Sequence, residues 1–277
     1  MKKICAITMA RNDNFFLDRW IKYYGLQLGY ENLYVLLDGE DQVPPKIAEK
    51  VNLTHFKHIE DKVVASDKRR INIVNDMAVK LFERYDLVIG TDTDEFLIVD
   101  PHCGKKLFDY LNTTNIKIPL SGLGLDVGQN LKEESSLNKE NGFLSQRSYA
   151  LVSARYTKPS VISKPMRWGA GFHRVKNLGY NIDKNLFLLH FGCIDYEMIE
   201  AKFSDAEKIK SGWKRHLKKR IKTITYISEK KAFAGDKFFP IARCLQTYCK
   251  SLFAWNKPTM ANWKLVIKIP ERFKGVI

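Results

Sequence analysis

Residues 86–100 (DLVIGTDTDEFLIVD) hold the groups best suited to chemistry. An apolar run ends in Asp92-Thr93-Asp94, and Glu95 follows at once. Where a strand bends at its end, carboxylates two positions apart can both reach one divalent cation. Alternatively, one takes the cation and the other a ribose. Hard cations such as Mg²⁺ and Mn²⁺ take oxygen ligands and usually keep waters and substrate phosphates as well. The carboxyl ends of parallel strands open into the crevice where α/β proteins hold ligands. The spacing therefore reads as a metal-bridged diphosphate site, with Asp92 and Asp94 as ligands and Mn²⁺ or Mg²⁺ as cofactor. The plainer alternative is an acidic cap on a strand, which a DxD triplet alone often is. The apolar strand before it, about 90 residues into the chain, favours the metal.

Those carboxylates need a scaffold. Residues 3–10 are β-rich and end in Arg11-Asn12-Asp13, a strand-to-helix corner where Asp13 or Asn14 can cap. Leu17, Trp20, Ile21, Tyr24 and Leu28 then recur at steps of three and four, one face of a helix that Gly29 stops. Residues 32–37 (NLYVLL) predict a short buried strand closed by Asp38-Gly39, and 39–46 a loop with Pro44-Pro45. A third strand is expected at 55–59 and a fourth at 85–90. Between them a second amphipathic helix is expected at 66–84, with Ile71, Val74, Met77, Ala78 and Leu81 on one side. The order β-α-β-loop-β-α-β, with strands apolar on both faces, predicts an α/β fold with a mostly parallel sheet. Beyond residue 101 the pattern loosens. Strands are expected at 116–120 and 186–191 (LFLLHF), irregular backbone through the glycine-rich SGLGLDVG, a polar stretch at 129–145 and basic helix at 197–232. There is no internal repeat and no low-complexity linker. The expected organisation is one domain over 1–204 and a basic, mostly helical extension over 205–277.

With these segments in place, the chain resembles the nucleotide-sugar glycosyltransferases of the GT-A fold. More closely, it resembles a bacterial family-2-like group whose motif reads D-x-D-E-F. The likeness is carried by the opening TMARND, the helix with DRWIKYYGLQLG, the strand ending in Asp38 and LVIGTDTDEFL. It continues through QRSYALVSARYTKPSV and RWGAGFH followed by LFLLHF, so it covers roughly residues 3–200. It implies a Rossmann-like sheet flanked by helices. It also implies a metal-dependent enzyme moving a sugar from a nucleotide-sugar donor to a glycan or glycolipid acceptor, in bacterial surface polysaccharide or lipopolysaccharide synthesis.

The resemblance places Ala10, Arg11 and Asp38 near base and ribose, and Asp92 on the ribose or the metal. Lys68 and Arg69, at a helix start, become diphosphate neighbours. His190 becomes a late metal ligand beside Asp92 and Asp94, and His173 a residue of a substrate-facing loop. An inverting transfer needs a base for the acceptor hydroxyl. Asp126 is the first choice, and Glu95 adjoins the metal as the other catalytic candidate. A lone histidine is more often a satisfied core residue, so His55, His58, His102 and His216 are read as structural.

Composition limits the alternatives. The 277 residues are 45% apolar and 28% charged, an ordinary globular balance. No run approaches 18 uninterrupted apolar residues. Two lysines precede only a short apolar stretch, so the N-terminus reads as a buried strand and not a secretory signal. Five cysteines without regular spacing predict reduced thiols in a cytosolic protein. Of the net charge of +15, +14 falls in residues 201–277, most densely in WKRHLKKRIK at 213–222. Such a segment suits nucleic-acid phosphates, an anionic membrane face or plain solvation. With a lipid-borne acceptor the membrane is the expected partner: a cytoplasmic enzyme peripheral to the inner face, with no specific nucleic acid. A metal-dependent phosphotransferase or phosphatase also uses DxD, but usually on its first strand. A non-enzymatic nucleic-acid-binding protein leaves the DxD without a role.

Overall fold

The computed structural model describes the whole chain except residues 60–62, 205–208 and 211 and the side chains of 63 and 64. The N-terminal half builds four strands: β1 (Ile4–Ala10), β2 (Leu33–Asp38), β3 (Asn52–Phe56) and β4 (Leu87–Gly90). They lie in the order β3-β2-β1-β4 and are parallel throughout. β1, β2 and β4 are buried along their whole length, and β1 shows why they lack polar alternation. Its Ile4, Ala6 and Ala10 pack with α1 (Asn14–Leu28), while Cys5, Ile7 and Met9 pack with α2 (Val63–Leu81). Successive side chains point to opposite faces, so a sheet with a helix on each face must be apolar at every position. α1 covers its face with Trp20, Ile21 and Tyr24, and α2 covers the other with Ile71, Val74 and Ala78.

The sheet continues as a mixed one. β8 (Val161–Ile162) pairs antiparallel with β4, then β6 (Leu120–Gly128) and β7 (Tyr149–Val152) follow. β9 (Asn181–Cys193) joins β6 in parallel and β5 (Glu95–Val99) antiparallel. The α/β class, with a mostly parallel centre flanked by helices, is the one expected. Two details differ. α2 begins at Val63, three residues before the expected start. The glycine-rich segment 121–128 is not irregular: it lies in β6, whose nine residues are all buried. Its glycines serve close approach. A Cβ on Gly122 would come within 2.6 Å of the Phe187 carbonyl carbon on β9, and one on Gly124 would strike the Tyr156-Thr157 backbone.

The described elements from Lys214 onward pack against the main sheet. α6 (Lys214–Glu229) buries Leu217, Ile224 and Ile227 and turns its basic face outward. It follows α3 (Leu107–Thr113), α4 (Phe143–Gln146) and α5 (Tyr196–Ala201). β10 (Phe233–Ala234) and β13 (Val266–Lys268) extend the main sheet, β13 pairing with β7. α7 (Gly235–Tyr248) packs Phe239 on Phe187 of β9, ring centroids 4.8 Å apart. Strands of two or three residues carry no readable alternation, which is why the basic composition dominated the sequence reading. Among the described residues no helix is long and apolar enough to cross a membrane.

Candidate active site

β1, β2 and β4 run in one direction, so Ala10, Asp38 and Gly90 end on one edge of the sheet. The chain leaves β4 through Asp92-Thr93-Asp94 in a turn closed by the Glu95 amide donating to the Asp92 carbonyl at 3.1 Å. It then enters β5. Strand register does the rest. Glu95 of β5 lies opposite His190 of β9, and Asp126 of β6 lies opposite His190 from the other side. Three ionisable residues thus form a row across three strands.

His190 is the hub. Its Nδ1 is 2.7 Å from Asp126 Oδ1, and its Nε2 is 3.3 Å from Asp94 Oδ2. Its ring stacks on Tyr156 with centroids 3.7 Å apart. Burial works against a charge on the imidazole, but Asp94 and Asp126 outweigh it and push the pKa up to about 9. Burial likewise opposes charge on Asp94, yet His190, Arg220 and Lys202 hold its carboxyl well below the usual range. Arg220, on α6, donates to Asp94 Oδ2 at 3.1 Å. Glu95 is lifted by burial to about 7, with Lys158 opposing and Asp92 adding. Lys158 is itself buried: its Nζ is 2.8 Å from Asp92 Oδ2 and pairs with a Glu95 oxygen. Burial alone would lower the Lys158 pKa, but the two carboxylates raise it.

Ligand atoms of Asp94, Glu95 and His190 lie within 4.8 Å of one another. Two carboxylates and an imidazole suit Mn²⁺ or Mg²⁺. Asp126 holds Nδ1 and so turns Nε2 toward Asp94, as a carboxylate behind a ligating histidine does. The donor set fits a divalent cation. Asp92, expected to be a ligand, pairs with Lys158 and is 45% exposed at its side chain.

Asp126 sits inside a buried strand, with Oδ1 on His190 and Oδ2 accepting from Thr223 Oγ1 at 3.2 Å. Both of its oxygens are engaged. Asp13 does not cap α1; its Oδ2 accepts from Thr93 Oγ1 at 2.6 Å. Burial lifts this carboxyl to about 6, with Lys202 opposing and Asp94 adding.

The other expected residues gather at the ends of β1 and β2. Ala10 ends β1, and Arg11 Nη1 donates to the Asp38 carbonyl at 2.7 Å and to Asp41 Oδ1 at 3.1 Å. Asp38 is buried, with Oδ1 2.8 Å from His58 Nδ1 and Oδ2 3.6 Å from Arg70 Nε. Because α2 begins at Val63, Lys68 and Arg69 lie in its second turn and not at its start. Lys68 is exposed, and Arg69 Nη2 donates to the Ile59 carbonyl at 2.7 Å. Arg70 is the basic residue of that turn facing Asp38. His173 Nδ1 lies 3.0 Å from the Arg155 carbonyl. Burial, Lys158 and Arg155 hold its pKa well below that of an ordinary histidine. His173 therefore borders the Lys158 side as a neutral ring.

Sequence reading missed Tyr156, Lys158 and Thr223 at this site, and gave Asp13, His58 and Arg220 other roles, Arg220 as part of the basic membrane-facing run. Tyr156 and Lys158 do fall inside ARYTKPSV, one of the segments that carried the resemblance. Nothing local marks Arg220 among its basic neighbours.

No protein-family model matches the chain, and no curated protein sequence matches it. Solved structures do. One is a glycosyltransferase involved in the glycosylation of the major capsid of PBCV-1, at 13% identity and TM-score 0.25, covering 44% of this chain and 50% of that one. This chain thus spans half the length of that protein. Another is a mannose-1-phosphate geranyltransferase from Thermus thermophilus, at 10% identity and TM-score 0.31, covering 96% of this chain and 74% of that one. Likenesses this low carry no argument about function, which rests on the site itself.

Proposed function

We propose that this chain is a GT-A-type glycosyltransferase that moves a sugar from a nucleotide-sugar donor to a glycan or glycolipid acceptor, with Mn²⁺ or Mg²⁺ as cofactor. The reading extends to bacterial surface polysaccharide or lipopolysaccharide synthesis at the inner face of the membrane. One observation carries it: Asp94, Glu95 and His190 converge where the parallel strand β4 ends, on the same edge as Ala10 and Asp38. That edge is where an open α/β sheet binds a nucleotide.

In this reading Asp94, Glu95 and His190 hold the cation, and Asp126 orients His190. A bound cation would neutralise charge that builds on the departing diphosphate. Arg220 and Lys158, already pointed at Asp94 and Asp92, supply fixed positive charge beside the same phosphates. Ala10, Arg11 and Asp38 face base and ribose. His173 faces the sugar side. Asp13 is the carboxylate suited to accept the acceptor proton, since a pKa of about 6 leaves it ionised at neutral pH and basic enough to act.

Slow hydrolysis of UDP-, GDP- and CMP-sugars, followed with and without EDTA, tests the proposal. One donor should be hydrolysed only with divalent metal, and Asp94→Asn should abolish the reaction while the protein stays folded. Hydrolysis undiminished in EDTA would refute the metal role, and hydrolysis of simple phosphate esters instead would make the protein a phosphatase.

A further inference from the structure

The catalytic reading leaves one prominent surface without a role. β11 (Lys250–Ser251) and β12 (Ala254–Pro258) form a hairpin outside the main sheet. At its turn Leu252 and Phe253 are 95% and 96% exposed, with Trp255 at 63% and Tyr248, just before the hairpin, at 79%. Single exposed apolar residues are ordinary, but a projecting cluster of large ones marks a contact surface.

Its surroundings identify the contact. Lys250 and Lys257 lie on the two strands of the hairpin. The outward face of α6 carries Lys214, Arg215, Lys218, Lys219 and Lys222, all exposed. Both regions reach the site: Asn256 of β12 donates to the Val175 carbonyl at 2.9 Å, two residues beyond His173, and α6 sends Arg220 to Asp94 at 3.1 Å. Arg155 adjoins His173 and directly precedes the Tyr156–Lys158 stretch of the site. The hairpin and the basic helix therefore both border the active site. A second copy of this chain would bring two strongly cationic faces together, whereas an anionic bilayer complements them. Trp and Tyr beside an apolar tip suit the layer between headgroups and acyl chains.

We propose that the β11–β12 hairpin inserts Leu252 and Phe253 into an anionic membrane, while the basic face of α6 lies against the headgroups. The proposal deepens the membrane part of the reading above and rests on it only for the lipid-borne acceptor. Docked this way, the mouth of the site faces the surface on which such an acceptor is held.

Flotation with phosphatidylcholine vesicles, with and without phosphatidylglycerol, tests it on the full chain. The wild type should float only with anionic vesicles and be released by high salt. The L252S/F253S variant should bind roughly tenfold or more weakly. Its thermal midpoint and donor hydrolysis should be unchanged, because neither side chain is buried. Quenching of Trp255 fluorescence by brominated lipid, lost in Trp255→Phe, would place the hairpin in the bilayer. Equal binding of variant and wild type would overturn the proposal, as would no binding to anionic vesicles. So would a wild-type dimer that L252S/F253S disperses. Intact membrane binding without hydrolysis of any donor would count against the catalytic reading and leave this one standing.

Discussion

Asp126→Asn tests whether the buried aspartate works through His190. Asparagine keeps the shape of the side chain, can still accept from Nδ1–H and can still meet Thr223, so the fold survives; only the charge is lost. In the metal-free wild type, His190 has a folded pKa of about 9 against about 6.5 for an ordinary histidine. A raised folded value means stability that is fully present below pH ~6.5 and is lost as pH rises through about 9. A shift of that size corresponds to at most about 3 kcal/mol. Two carboxylates produce it, Asp94 and then Asp126, so removing one should forfeit about 1–2 kcal/mol. Urea unfolding should thus show the variant less stable by that amount at pH 6, with the gap closing above pH 9. An NMR titration should put the variant's imidazole at least one unit lower. Calorimetry should show Mn²⁺ affinity reduced roughly 10- to 100-fold. A stability gap that does not change with pH, or an unaltered imidazole pKa, would refute the coupling.

Asp13→Asn should lower the rate of sugar transfer by about 10²-fold or more. It should also remove a limb of the pH–rate profile on which activity rises as Asp13 ionises. A variant with that limb intact would exclude Asp13 as the proton acceptor. Gly192→Ala should disable the site with little effect on the core, since the new methyl would lie 2.6 Å from His190 Nε2 and 2.7 Å from Arg220 Cζ. Donor hydrolysis at the wild-type rate would show that this crowding is relieved at no cost.

The parallel half of the fold was legible because its signals are local. Residues 3–38 show a strand apolar on both faces, then a helical stripe with a glycine stop, then a second strand. The DxD was legible for the same reason, its spacing being contained in three residues. What escaped depends on partners far along the chain. The resemblance implies His190 as a ligand, but its meeting with Asp126 depends on β6 pairing with β9, 64 residues away. Lys158 and Arg220 are identical in type to solvated lysines and arginines, and only burial against Asp92 and Asp94 sets them apart. The glycines of β6 carry two opposite meanings in a sequence, flexible loop or close strand approach. The backbones of β9 and of the Tyr156-Thr157 turn decided for the second.

The contact between Arg220 and Asp94 spans 126 residues of chain. A ribosome adding about 5–20 residues per second needs roughly 6–25 s to synthesise that interval. Throughout it, the acidic strand end already exists without its arginine, and β7 lacks β13. The nascent protein can therefore pair β1, β2 and β4 early and yet hold an unfinished cluster around Asp94. The cluster is completed late in synthesis, when α6 docks. Until then Asp94, short of its arginine, and the uncovered edge of β7 are the places where a chaperone or a stray cation would find the growing chain.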